Sequence, residues 1–129
     1  MANLLVPAAG VPDMFAWPEG AYAVVEARGE LDVYTAGSLR SALTELDAAG
    51  RNLLAVDMAE VTFMDSSGLG VLIGGVKRAR ACGGALVLAA TPDSIRRTLR
   101  ITGVLRVMPV FDTVPTALCH LGSLELGVN

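Results

Sequence analysis

The run Leu53-Leu54-Ala55-Val56-Asp57-Met58 is short, nearly all apolar and rich in large side chains, and Ala85-Leu86-Val87-Leu88-Ala89-Ala90 repeats the pattern further along. Strands without polar alternation are covered on both faces, which is the condition of strands inside a parallel sheet flanked by helices. The segment between them supplies a helix. Leu69, Leu72, Ile73, Val76 and Ala79 recur at three- and four-residue spacing and share one face. The chain is thereby directed to an α/β architecture with right-handed crossovers between its parallel strands.

The remaining segments extend this pattern. Residues 1–13, with Pro7, Gly10 and Pro12, read as a loosely attached lead-in. Met14-Phe15-Ala16-Trp17 is expected as an edge strand that Pro18-Glu19-Gly20 turns back into the strand of 21–27, closed by Gly29-Glu30-Leu31-Asp32. Thr35 or a neighbour can cap a helix carrying Leu39, Ala42, Leu43 and Leu46, which Gly50 ends. The helix expected over 69–81 stops at Gly83-Gly84, and Thr91-Pro92-Asp93 opens another with Ile95, Thr98, Leu99 and Thr102 on one face. A short strand is expected over 106–111, then a last helix capped by Asp112-Thr113 and carrying Val114, Ala117, Leu118 and Leu121. The expectation is one α/β domain over 14–122, with a mixed β-sheet of four to five strands, about four α-helices, and a tail over 123–129.

Composition narrows the function. The 129 residues suffice for one core without metals or disulfides, and 53% hydrophobic against 18% charged residues is globular. A net charge of −3 argues against nucleic acid as a direct partner. Lys77, Arg78 and Arg80 cluster, but at the far end of the helix that begins near Ser67, where cations complement the dipole. No uncharged apolar run approaches the roughly 20 residues of a membrane span, and the first residues lack the basic start of a secretory signal, so a cytoplasmic protein without membrane contact is expected. Cys82 and Cys119 are too few for a disulfide framework and read as small buried thiols, with a redox-sensitive bond between them as an alternative.

Between the first apolar run and its helix stands Phe63-Met64-Asp65-Ser66-Ser67-Gly68-Leu69-Gly70. Two hydroxyls and a carboxylate fall where a strand ends and a helix begins, and the helix's first amide hydrogens carry partial positive charge there. Such a place accepts a phosphate. Hydrolytic chemistry is not supported: the single histidine, His120, lies in a helical pattern near the C-terminus, and the glycine that a nucleophile elbow needs two residues before serine is missing. No GxxxxGK[ST] spacing is present either, so nucleotide hydrolysis is disfavoured, and neither cofactor nor metal is expected. Gly70, Gly74 and Gly75 each cost a helix about 1 kcal/mol relative to alanine. They allow close approach to a neighbouring element, or they keep the face of Gly70 and Gly74 flat for another protein.

Gly29-Glu30-Leu31-Asp32, then Val61-Thr62-Phe63-Met64-Asp65-Ser66-Ser67-Gly68-Leu69-Gly70, then Gly83-Gly84 and a strand together resemble the STAS domain of bacterial anti-sigma factor antagonists. That resemblance implies a binding protein, not an enzyme. It implies that Ser66 is phosphorylated by a partner that is both a serine kinase and an anti-sigma factor, and that a metal-dependent serine phosphatase reverses the modification. The unmodified form would bind the anti-sigma factor and free a sigma factor, in a stress response or another transcriptional switch. Asp32 matches an acidic position on the family's partner-binding surface, and Asp65, Ser67, Gly68, Leu69, Gly70 and Gly74 are expected to complete that surface. Val33-Tyr34 follow Asp32 where the family often has polar or histidine residues, so the rim suits a different partner. Two alternatives remain open: a scaffold or small-molecule-binding module in a stress-sensing assembly, and a redox sensor acting through Cys82 and Cys119.

Overall fold

The computed structural model describes the backbone of residues 13–16 and the whole of 21–125. Five strands, β1 (Asp13–Ala16), β2 (Tyr22–Leu31), β3 (Leu53–Met64), β4 (Ala85–Ala89) and β5 (Val110–Phe111), form one sheet in sequence order. The helices are α1 (Ala36–Ala48), α2 (Ser66–Ala81), α3 (Asp93–Ile101) and α4 (Val114–Glu125), with a single 3-10 turn at Val104–Arg106. β1 runs antiparallel to β2, and β2 through β5 are mutually parallel. The mixed α/β sheet expected from the sequence is thus the fold. Residues 17–20, 1–12 of the lead-in expected over 1–13, and 126–129 of the tail expected over 123–129 lie outside the described residues; Asp13 opens β1, and 123–125 belong to α4.

The apolar runs are strands because both of their faces are used. On one face Val25, Leu54, Val56, Leu86 and Leu88 meet Leu39 and Leu43 of α1, Leu72 and Val76 of α2, and Leu99 of α3. On the other, Val24, Leu53, Ala55, Val87 and Ala89 meet Ala117 and Leu121 of α4. Period-two alternation along each strand therefore feeds two cores, and polar side chains enter the central strands only from the paired Glu26 and Asp57 onward, toward their carboxyl ends.

Two boundaries and one helix face differ from expectation. β3 continues past Met58 to Met64, because β2 also continues and the two pair as far as Leu31 beside Met64, through register shifts between Glu26 and Arg28 and between Gly29 and Glu30. The stretch 106–111 is a strand only at its last two residues. Gly103, at φ 78°, turns the chain left-handed into the 3-10 turn, which consumes Arg106. On α3, Ile95 and Leu99 are buried whereas Thr98 and Thr102 are exposed, and the hydroxyls of both threonines bond backward to carbonyls of their own helix.

α2 lies close to its neighbours because of glycine. A Cβ on Gly75 would stand 2.8 Å from Leu86 Cδ1 and 3.1 Å from Leu43 Cδ1. Nearby, Arg78 of α2 faces Asp47 of α1 at 3.5 Å, without a well-formed hydrogen bond. Desolvation pushes the Asp47 carboxyl above its ordinary value, only partly opposed by the Arg78 charge.

Candidate functional site

The site is assembled where β2 and β3 end together. Leu31 pairs with Met64, and the Asp65 amide donates to the Leu31 carbonyl at 3.1 Å, so the two turns leaving these strands start side by side. One turn carries Asp32, Val33 and Tyr34. The other carries Asp65 and Ser66.

Asp65 is the N-cap of α2. Its backbone is extended (φ −104°, ψ −169°), and Oδ1 accepts from the amides of Ser67 at 2.8 Å and Gly68 at 3.4 Å. Two of the helix's orphan donors are thereby satisfied by a carboxylate, which also suits the dipole. Ser66 is relieved of the capping task that serine often performs at such a boundary. It is the first residue of the helix, exposed, with its hydroxyl outside any hydrogen bond among the described residues.

Asp32 organises the second turn. Its Oδ1 accepts from the amides of Tyr34 at 2.9 Å and Thr35 at 3.1 Å. Desolvation works against the charged form, but the Tyr34 and Thr35 amides and the Thr35 hydroxyl outweigh it and hold the Asp32 carboxyl below its ordinary value. Thr35 occupies the N-cap position of α1 as expected, yet it makes no capping hydrogen bond. Its hydroxyl donates to the Glu30 carbonyl and accepts from the Asp32 amide at 3.0 Å. The turn is stiff, and it presents Val33 and Tyr34 outward, 68% and 90% exposed.

The other expected site residues divide. Gly68 is buried and offers no surface: a Cβ there would lie 2.8 Å from both Leu31 Cβ and the Leu31 carbonyl oxygen, and 2.9 Å from Met64 Cγ. Its contribution is to let the first turn of α2 press onto the end of β2. Leu69 is half-buried against the core beneath the helix. Ser67 is half-buried, with its amide held by Asp65. Gly70 is exposed with nothing within 4 Å of a Cβ position, as a flat contact face requires, whereas Gly74 is half-buried beside the Arg78 guanidinium.

Sequence reasoning did not place Phe63 on this surface, and treated Val33 and Tyr34 as a departure from family pattern only. Phe63 is 49% exposed, because β2 and β3 run beyond the helices that cover them lower down. A Val-Tyr pair inside a tight turn, where small polar residues are usual, was the available signal. The carboxyl ends of β2 and β3 thus carry Glu30, Asp32 and Asp65 together with three exposed apolar residues and one unengaged hydroxyl.

Elsewhere, Cys82, the residue that caps the C-terminus of α2, and Cys119, on α4, are both free and, contrary to the expectation of buried thiols, exposed; α2 and α4 pack on opposite faces of the sheet. A cleft of about 380 Å³, lined by Ala21, Asn52, Leu53, Gly83, Gly84, Leu124 and Glu125, opens at the amino ends of the strands, away from Ser66. No cluster of metal-ligating side chains is found among the described residues, and no helix among them is long and apolar enough to cross a membrane.

Comparison with known proteins agrees with this geometry. The STAS domain family model matches residues 18–117. The chain is 37% identical over 82 residues to the anti-sigma-B factor antagonist of Listeria monocytogenes, covering 64% of this chain and 72% of that one. It is 30% identical over 99 residues to the anti-sigma F factor antagonist of Paenibacillus polymyxa, covering 76% and 85%. Among solved structures, the anti-sigma factor antagonist SpoIIAA in its unphosphorylated form superposes with a TM-score of 0.72 at 21% identity, covering 84% of this chain and 94% of that one. The phosphorylated form of the Bacillus protein superposes at 0.65, also with 21% identity, covering 81% and 95%. A strand-to-helix junction capped by Asp65, an unengaged Ser66 beside it and a family match over most of the chain agree: this protein belongs to the STAS domain family, alongside anti-sigma factor antagonists.

Proposed function

We propose that this chain is an anti-sigma factor antagonist that acts by binding and not by catalysis. Unmodified, it holds an anti-sigma factor on the face formed by Asp32, Val33, Tyr34, Phe63, Asp65 and Gly70, and so releases a sigma factor. Phosphorylation of Ser66 by that anti-sigma factor, acting as a serine kinase, turns the binding off, and a serine phosphatase restores it. The observation that carries the reading is the division of labour at the head of α2: Asp65 caps the helix, which leaves the Ser66 hydroxyl exposed and free to react.

The switch needs no change of shape. A phosphate adds about −1.5 to −2 charges and three acceptor oxygens. The first turn of α2 tolerates an anion, yet two of its amides are already occupied by Asp65, so the phosphate stays outside, next to Asp65 and near Asp32. A partner shaped for an uncharged hydroxyl must then bury a charge without a counter-ion. That costs about 3–5 kcal/mol, or about two to four orders of magnitude in affinity.

The test is titration calorimetry against an anti-sigma factor with serine-kinase activity from the same cells. Wild type and Ser66→Ala should bind equally, Ser66→Asp should bind at least tenfold more weakly, and Ser66→Ala should take up no phosphate from the partner and ATP. Equal phosphorylation of Ser66→Ala would remove Ser66 as the acceptor. Equal affinity of Ser66→Asp would remove the charge argument.

A further inference from the structure

Five large apolar side chains stand exposed among the described residues, and they fall in two places. Val33, Tyr34 and Phe63 surround the carboxyl ends of β2 and β3. Ile101 and Val107, 77% and 39% exposed, flank the Gly103 turn that joins α3 to the 3-10 turn. The two places carry opposite charge. Glu30, Asp32 and Asp65 lie on the same strand ends and turns as the first. At the second, Arg97 and Arg100 share a face of α3 with Ile101, Arg106 adjoins Val107, and Arg80 reaches over from the last turn of α2 to donate to the Val107 carbonyl at 3.1 Å.

This asymmetry runs through the whole chain. Of ten basic residues seven lie between Ser66 and Phe111, with Asp93 the single acid in that span. Arg78 faces Asp47 and Arg96 faces Asp112. Arg80, Arg97, Arg100 and Arg106 face no carboxylate among the described residues, so their charge is open to another molecule. The two surfaces lie at opposite ends of α2, Ser66 in the acidic one and Arg80 in the basic one, about 21 Å apart along the helix at 1.5 Å per residue.

We propose that copies of this chain associate head to tail, the Tyr34 face of one seated on the Arg100–Ile101 face of the next. A two-fold pairing centred on either patch would set like charge on like charge, whereas an acidic patch at one end of α2 meeting the basic patch at the other end of the next copy makes a heterologous contact. The side chains match in kind as well as in sign. Guanidinium groups fork onto carboxylates and stack on aromatic rings, and the acidic face offers Asp32 and Asp65 together with Tyr34 and Phe63. Because Ser66 lies in the covered face, self-association and capture of an anti-sigma factor would exclude each other. That consequence alone rests on the function proposed above; the contact itself does not.

Sedimentation velocity on the full chain, from micromolar to millimolar concentration, tests the proposal without any other protein. At about 0.05 M salt the weight-average mass should climb above the 13.4 kDa of one chain, and at about 1 M salt, where the Debye length is near 3 Å, it should return to it. Tyr34→Ser breaks the head, and Arg100→Glu with Ile101→Ser breaks the tail. Each variant alone should stay monomeric, and an equimolar mixture should form a one-to-one dimer and nothing larger, which also shows that both variants are folded. Wild type that remains monomeric at millimolar concentration overturns the proposal. So does association that survives in either variant, or a mixture of circular-dichroism-competent variants that stays monomeric. Binding to vesicles rich in phosphatidylserine that requires Arg100, in a chain that never self-associates, would overturn it too and assign the basic face to a lipid surface.

Discussion

Alanine in place of Gly68 and alanine in place of Gly70 put the same methyl group into the same helix two residues apart, and should change stability in opposite directions. At Gly70 the new Cβ meets nothing within 4 Å, so only the helix gain remains. That gain is about 0.5–1 kcal/mol, from lost freedom of the unfolded chain and better helix propensity. At Gly68 the Cβ would sit 2.8 Å from Leu31 Cβ, 2.8 Å from the Leu31 carbonyl oxygen and 2.9 Å from Met64 Cγ. The carbonyl oxygen cannot step aside, because it accepts the Asp65 amide that joins the two turns. The first turn of α2 must instead retreat by about half an ångström or more, an overpacking that costs about 1–3 kcal/mol against a helix gain of at most about 1. Gly68→Ala should therefore lose about 1–2 kcal/mol, a fall in Tm of some 3–8 °C for a domain of this size. Urea titrations of both variants, with unchanged m, measure the two signs directly. The functional consequence also separates them. Gly70→Ala should be more stable yet bind an anti-sigma factor less well, since its methyl group projects from the exposed face. If Gly68→Ala is as stable as Gly70→Ala, α2 does not press on β2 as described, and the packing argument for the site fails.

Asp65→Asn should keep the cap and the Tm, because asparagine caps about as well as aspartate, while Asp65→Ala should lose about 1 kcal/mol in a thermal melt. A change in partner affinity shared by both variants would then report the charge and not the helix. Asp47 gives a dependence on pH. Its carboxyl titrates above the ordinary 3.8 when folded, so the native state binds the proton more tightly than the unfolded one, and Asp47's contribution to stability falls as pH rises from 3.8 through the raised value. Asp47→Asn should flatten that part of the curve of unfolding free energy against pH, and a curve unchanged in shape would refute the assignment. Gly84→Ala should be severely destabilising, by about 3 kcal/mol or more, because the methyl would overlap the Asn52 carbonyl, which accepts the Ala85 amide where β4 joins β3. Its Tm checks this.

The sequence by itself determined whatever depends on neighbours along the chain. Leu53–Met58 and Ala85–Ala89 could only be strands covered on both faces, and the stripes on α1, α2 and α4 could only be helix faces turned to a core, because apolar periodicity is a local signal with one low-energy use. The Asp-Ser-Ser-Gly-Leu-Gly segment marked the junction for the same reason. What it left undecided were matters of long-range register and backbone angle. Any of Asp65, Ser66 and Ser67 could have capped α2, and only the extended backbone at Asp65 selects the carboxylate and leaves Ser66 unengaged. Nothing local reveals that Leu31 pairs with Met64 and so sets Asp32 beside Asp65, or that β2 and β3 outrun their helical cover and expose Phe63. The stretch 106–111 looked like a strand by composition, but Gly103 spends part of it on a 3-10 turn before pairing begins. Cys82 and Cys119, equivalent on paper, ended at helices that pack on opposite faces of the sheet. Apolar pattern chooses the elements because burial is worth more than any other local preference, whereas the site arises from contacts between residues far apart in the chain, which exist only once those elements have packed.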